Sequence, residues 1–227
     1  MVLERLDGIR RRIEAAAARG DRDASAVDVI AVVKKAPTMD LRALAASGRV
    51  RWFGESRVQD AARRREELGP DAARVRWRFV GHLQTNKAVA AAGLFERLDS
   101  LESLKLAASL DALAAEAGNT LPVLVQVKLT GRDAQSGVDP EALGEFLEKL
   151  RGFPRLKAQG LMAIAPLTER VEETRPHFRR MKELLDRHFP AGTVPDRELS
   201  MGMSQDFEVA VEEGATLVRI GTALFNA

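Results

Sequence analysis

The chain has 227 residues and a formal net charge of +2, from 35 basic and 33 acidic side chains, and 45% of it is hydrophobic. That composition suits one large globular domain or two small ones, and the absence of cysteine excludes disulfides, thiolate metal sites and cysteine nucleophiles. The histidines, His82, His177 and His188, show no metal-ligand spacing, and tyrosine is missing altogether.

The N-terminal stretch predicts a helix over Leu3–Ala18, charged from Glu4 onward and without the apolar centre of a secretion signal. No later segment approaches the roughly 18 uninterrupted apolar residues of a membrane span, so a cytoplasmic location is expected. A first strand, Val27–Val33, runs straight into Lys34 and Lys35 before Pro37. Further strands are expected at Val50–Gly54, Val75–Val80, Leu94–Leu98, Leu121–Val127, Leu156–Ile164, Glu198–Met201 and Thr216–Ile220. Between them, apolar residues spaced three and four apart predict helices, among them Leu101–Ala117, Glu141–Leu150 and Val171–Phe189. Ser100 is placed to cap the first of these, Asp139-Pro140 opens the second, and Ser204 is placed to cap a helix that stops at Gly214.

Strands that alternate with helices pair in parallel, and eight such units predict a closed (β/α)8 TIM barrel, one α/β domain over residues 1–227 with an extra N-terminal helix. An open doubly wound sheet shares the alternation, but its GxGxxG fingerprint is absent, as is the P-loop. Arg10–Arg12 and Arg63–Arg65 sit beside glutamates in helical patterns and read as solvated helix faces rather than a nucleic-acid footprint.

In such a barrel, function belongs where the loops after the strands converge. The loops after strands seven and eight, SMGMS (Ser200–Ser204) and IGT (Ile220–Thr222), offer glycines, hydroxyls and exposed backbone N–H groups where these barrels often hold a phosphate. Glycine and serine also suit plain tight turns. The lysines at the end of strand one lie across the mouth, and an amine in apolar surroundings can attack an aldehyde. Phosphate and amine together point to pyridoxal 5′-phosphate, or to an aldolase acting on a phosphorylated sugar. Strand parity leaves open whether Lys34 faces inward with Ile30 and Val32, or Lys35 with Ala31 and Val33. Arg219, between Val218 and Ile220, would either face the pyridine nitrogen or pair with a carboxylate.

The segments VIAVVKKAP, FGESRVQD, WRFVGHLQTNK, GLMAIAPL and LSMGMSQDFEVAVEEGATLVRIGTALF, in this order, resemble the pyridoxal phosphate homeostasis protein family, also called the YggS/PROSC family, which is similar in fold to the N-terminal barrel of alanine racemase. The resemblance runs from about Val27 to Phe225. It implies a single-domain barrel that holds pyridoxal 5′-phosphate as a Schiff base on Lys34, and that buffers the cofactor or delivers it to PLP-dependent apoenzymes without catalysis; no long apolar stripe demands a partner, so a monomer is expected. It also implies that Arg219 faces the pyridine nitrogen and that Ser200, Met201, Ser204, Gly221 and Thr222 surround the phosphate, with Ser56 near the ring. The chain departs from the family pattern at Val33, Lys35, Ala36, Ser56, Arg57 and Gln135. An amino-acid racemase is the alternative, but the partner tyrosine of alanine racemase has no counterpart here, and His82 is the one candidate substitute base.

Overall fold

The computed structural model describes residues 1–130 and 136–225. Eight parallel strands pair in sequence order and β1 (Asp28–Val32) closes on β8 (Leu217–Ile220), making a complete barrel. The others are β2 (Trp52–Glu55), β3 (Arg76–Phe79), β4 (Arg97–Leu101), β5 (Leu121–Gln126), β6 (Leu156–Met162) and β7 (Glu198–Met203). Helices α1 (Val2–Arg19), α2 (Thr38–Ser47), α3 (Val58–Leu68), α4 (Ala88–Ala91), α5 (Leu104–Glu116), α6 (Leu143–Leu150), α7 (Arg175–His188), α8 (Phe207–Glu212) and α9 (Thr222–Phe225) surround it. None of the described helices is long and apolar enough to cross a membrane.

Alternation along each strand separates two cores. Outward side chains such as Phe53, Trp77, Leu199 and Val218 pack beneath the helices, whereas Ile30, Trp52, Leu124, Met162 and Leu217 fill the barrel interior. The extra helix α1 buries Leu6, Ile9 and Ile13, spaced three and four apart, and packs outside the barrel against α8 and α9. The arginine clusters are engaged locally: Arg12 meets Glu208 at 3.0 Å, Arg63 meets Asp60 at 2.8 Å and Arg64 meets Glu67 at 3.1 Å.

Below the mouth the interior is charged. Arg78 pairs with Asp99 at 3.0 Å and also with Glu198, and Arg97 pairs with Asp196 at 2.7 Å. The guanidinium groups of Arg78 and Arg97 lie 4.6 and 5.4 Å from the centroid of the Trp52 ring. Mutual pairing is what makes buried charges tolerable here.

The structure corrects three boundary expectations. The fourth strand is Arg97–Leu101 rather than Leu94–Leu98, because Phe95 packs edge-on against Phe79 at 5.1 Å and Asp99 finds a buried partner in Arg78. Ser100 is therefore a strand residue, and Ser103 caps α5 by accepting from the N–H of Leu106 at 3.2 Å. Ser204 does not cap α8 either. A turn intervenes, the cap position falls to Asp206, and the Ser204 hydroxyl accepts instead from the N–H of Ala223 at 3.1 Å.

Candidate functional site at the barrel mouth

Strand β1 ends at Val32, and Lys34 and Lys35 both lie in the turn beyond it. Ile30 belongs to the interior cluster, whereas Val29, Ala31 and Val33 belong to the outer core, so Ile30 and Val32 face inward up to the end of the strand. The N–H of Val33 donates to the carbonyl of Gly54 at 3.0 Å, and the chain then turns, the N–H of Ala36 donating to the carbonyl of Val33 at 3.0 Å. Both lysines are exposed, and neither side chain makes an ion pair or hydrogen bond among the described residues. A salt-bridged strand terminus, the plain structural role for such lysines, is thus not what is built. Ala36 is buried, and Arg57 is an exposed residue at the start of α3.

The rim beside β1, not opposite it as the sequence suggested, is made by β8 and then β7, since β8 pairs directly with β1 and Gly221 approaches Val32. Ser200 is fully buried and its hydroxyl accepts from Nη1 of Arg219 at 2.8 Å, while Nη2 donates to the carbonyl of Ala163 at 2.8 Å. Arg219 therefore has no carboxylate in direct contact. Burial pulls its guanidinium pKa down to about 10, an effect that Asp99 and Asp206 only partly oppose. The bond from Ala223 N–H to Ser204 ties the two loops together beside Gly221 and the exposed Thr222. Asp206 accepts from the N–H of Met203 at 2.6 Å, which holds the loop after β7, and burial raises its pKa. Gly202 has φ of 86°, and a Cβ there would sit 2.5 Å from that of Ala210, so this close approach requires glycine. Met201 points the other way, into the outer core, and only its backbone faces the loop.

Ser56 follows β2 on the lysine side of the mouth. Its N–H donates to Oε1 of Glu55 at 2.7 Å, and Glu55 is fully buried with its Oε2 unpartnered. Burial pushes the Glu55 carboxyl up, against the lowering effect of the Ser56 and Arg57 N–H groups. A Cβ on Gly81 would lie 2.4 Å from the Ser56 carbonyl oxygen, so glycine allows the loops after β2 and β3 to touch. Gln135 lies outside the described residues.

Sequence reasoning missed Glu55, Asp99 and Glu102. Asp99 had a usable signal: Arg97 and Asp99 in ERLDS, like Arg76 and Arg78 in VRWRF, alternate with apolar residues at the spacing of two that marks one strand face. Glu55 and Glu102 carry no such mark, because their burial depends on loops that the local pattern does not reveal.

A closed parallel barrel with unpaired, exposed lysines just past β1 and two tethered, hydroxyl-bearing loops after the neighbouring β7 and β8 defines the class of protein. It is a barrel of the alanine racemase type, and residues 5–227 match the family model described as alanine racemase, N-terminal domain. Within that class the chain belongs to the pyridoxal phosphate homeostasis protein family. It is 38% identical to the pyridoxal phosphate homeostasis protein of Aquifex aeolicus, over 98% of this chain and 96% of that one. It is 37% identical to the protein of the same name from Pseudomonas aeruginosa, over 100% of this chain and 95% of that one. The solved structure of PipY from Synechococcus elongatus with PLP bound matches with a TM-score of 0.82 and 36% identity, each chain covered completely. An alanine racemase from Clostridium difficile shares the fold alone, with a TM-score of 0.70 at 14% identity over 98% of this chain and 57% of that one.

Proposed function

We propose that this protein is a single-domain cytoplasmic carrier that binds pyridoxal 5′-phosphate as a Schiff base on Lys34, buffers it or passes it to PLP-dependent apoenzymes, and turns over no substrate. The observation that supports this reading is the amine of Lys34, exposed in the turn just past β1 beside the loop after β8 and without a partner among the described residues. The residues fit the cofactor. When bound, it supplies an electrophilic carbon for the amine and a phosphate for the loops after β7 and β8. Ser204, Gly221 and Thr222 would hold the phosphate, together with the backbone of Met201, and Ser200 would act by fixing Arg219. Arg219, already anchored at two nitrogens, would donate to the pyridine nitrogen and keep it unprotonated, which weakens the ring as an electron sink. Ser56, set by Glu55 and Gly81, would border the ring.

The test is a visible spectrum of the protein mixed with pyridoxal 5′-phosphate, followed by borohydride reduction and mass mapping of the modified lysine. Label on Lys34 is expected, lost in Lys34→Ala and kept in Lys35→Ala. The reverse pattern would refute the assignment, and a protein that stays colourless would refute cofactor binding. Incubation of the loaded protein with single-enantiomer amino acids should yield no mirror form above background. The 227 residues contain no tyrosine to serve as the second acid of a racemase.

A further inference from the structure

The end of the barrel away from the mouth gathers its charges around one ring. Trp52, the first residue of β2, points inward and is 1% exposed. Four guanidinium groups lie over it: Arg78 at 4.6 Å, Arg76 at 4.7 Å, Arg51 at 5.1 Å and Arg97 at 5.4 Å from the ring centroid. The two buried ones are neutralised inside the barrel, Arg78 by Asp99 and Glu198, and Arg97 by Asp196 and Glu198. The other two are not. Arg51 and Arg76 are exposed, and neither side chain makes an ion pair or a hydrogen bond among the described residues.

Unpaired surface cations are free to swing apart, but these two are held together. The ring attracts each guanidinium, and the N–H of Arg76 donates to the carbonyl of Arg51 at 3.0 Å, so both side chains start from paired backbone. Because both lie over the same ring, their separation is at most the sum of the two centroid distances, about 10 Å.

The carboxylates around them are engaged elsewhere or out of reach. Asp196 accepts from Arg97 at 2.7 Å, and its pKa is lowered first by that bond, with the charges of Arg51 and Arg76 adding to the effect. Glu96 turns its Oε2 to the N–H of Trp77 at 2.5 Å. Asp28 belongs to the inward series of β1 with Ile30 but makes no ion pair among the described residues. Two neighbouring cations thus lack a counter-charge within ion-pair distance.

We propose that this end of the barrel binds a small molecule through a phosphate or diphosphate group held between Arg51 and Arg76. A guanidinium presents its N–H donors as a fork that matches phosphate oxygens, and a diphosphate offers such oxygens at both of its ends. Like charges kept close repel each other until an anion lies between them, so the ligand gains attraction from both cations and relieves their repulsion. Trp52 is covered by the guanidiniums, so recognition rests on charge and spacing rather than on stacking. The site lies at the N-terminal ends of the strands, whereas Lys34 and the loops after β7 and β8 lie past the C-terminal ends. It is separate from the cofactor site.

The experiment titrates pyrophosphate by calorimetry into protein saturated with pyridoxal 5′-phosphate, so that the loops after β7 and β8 are already occupied. One ion per chain should bind, with no change in the visible band of the cofactor. Arg51→Gln and Arg76→Gln should each weaken binding about tenfold, the loss expected for one charge-assisted partner. Arg187→Gln removes the same charge from an exposed, unpaired arginine on α7 and should stay within about twofold of the parent. The absence of saturable binding would overturn the inference. So would parental affinity in Arg51→Gln and Arg76→Gln, or an equal loss in Arg187→Gln, because binding would then follow net charge alone. A fall in the visible band on addition would also overturn it, since pyrophosphate would be competing for the cofactor's own loops. A uridine oligonucleotide that binds more tightly than pyrophosphate, and weakens in the same two variants, would assign the site to nucleic acid and overturn the small ligand.

Discussion

Arg219 is fully buried without a carboxylate in direct contact, and this makes its contribution to stability calculable. Its pKa is depressed to about 10 by burial. A base with a depressed folded-state pKa is penalised while charged, so the cost is fully present at neutral pH and fades only as the pH rises above about 10. At about 1.4 kcal/mol per pKa unit, the cost of holding the cation at pH 7 is roughly 3 kcal/mol. Against it stand the hydrogen bonds to Ser200 and Ala163, together about 2 kcal/mol. Arg219→Met removes both and fills a similar volume, so the cofactor-free variant should be more stable by about 1 kcal/mol, a rise in Tm of roughly 2–4 °C for a chain of this size. Thermal unfolding followed by circular dichroism at pH 7 checks this. Cofactor affinity should fall about tenfold in the same variant, as expected for one lost charge-assisted hydrogen bond. A fall in Tm of several degrees with unchanged affinity would refute the reasoning, because the guanidinium would then be a structural prop.

Three further substitutions probe what positions the mouth. Asp99→Ala leaves the Arg78 guanidinium, 0% exposed, without its 3.0 Å partner, and should cost about 3–5 kcal/mol in chemical denaturation. A loss under 1 kcal/mol would mean that Glu198 alone neutralises Arg78. Gly81→Ala puts a methyl 2.4 Å from the Ser56 carbonyl and should destabilise by about 2 kcal/mol while weakening cofactor binding, measured by unfolding and by titration of the visible band. Glu55→Gln tests a raised acid. Because burial lifts its folded-state pKa, Glu55 contributes best below the ordinary carboxylate value and loses that contribution as pH rises through the raised one. The variant should therefore match the parent near pH 4 and exceed it at pH 7 in Tm; parallel curves at both pH values would contradict the sign.

The barrel was legible because strand and helix periodicities are local, and eight alternations leave few topologies. The fourth strand slipped by three residues for a reason no window could supply. Phe95 looks like a strand residue and Asp99 like a breaker, yet Phe95 belongs to the aromatic contact with Phe79, and Asp99 is held by an arginine 21 positions earlier in sequence. The caps failed similarly. Ser100 and Ser204 are proper capping residues by type, but the bulged pairing of β4 with β5 carries the first into the sheet, and the approach of β8 claims the second.

The lysine pair shows where sequence periodicity stops short. Ile30 and Val32 on one side of β1, and Ala31 and Val33 on the other, are equally apolar because a barrel strand is buried on both faces. Hydrophobicity therefore carries no information about which face is interior. Curvature does: the interior must be closed by few large side chains, Ile30 and Trp52 among them, and the outer face must accept helices. Once Ile30 is inside, Val32 follows by counting two residues, but the count stops there, because Lys34 and Lys35 lie in the turn that follows. The same geometry accounts for Met201, whose place in SMGMS suggests a contact but whose parity with Leu199 turns its side chain outward. The mouth is thus assembled from parity and loop contact together. Residues on strands, Ser200 and Arg219, could be nominated by parity, and Lys34 by family resemblance; those fixed by loop contact, Ser56 against Gly81 and His82 against Glu102, acquire their surroundings only from the closed barrel.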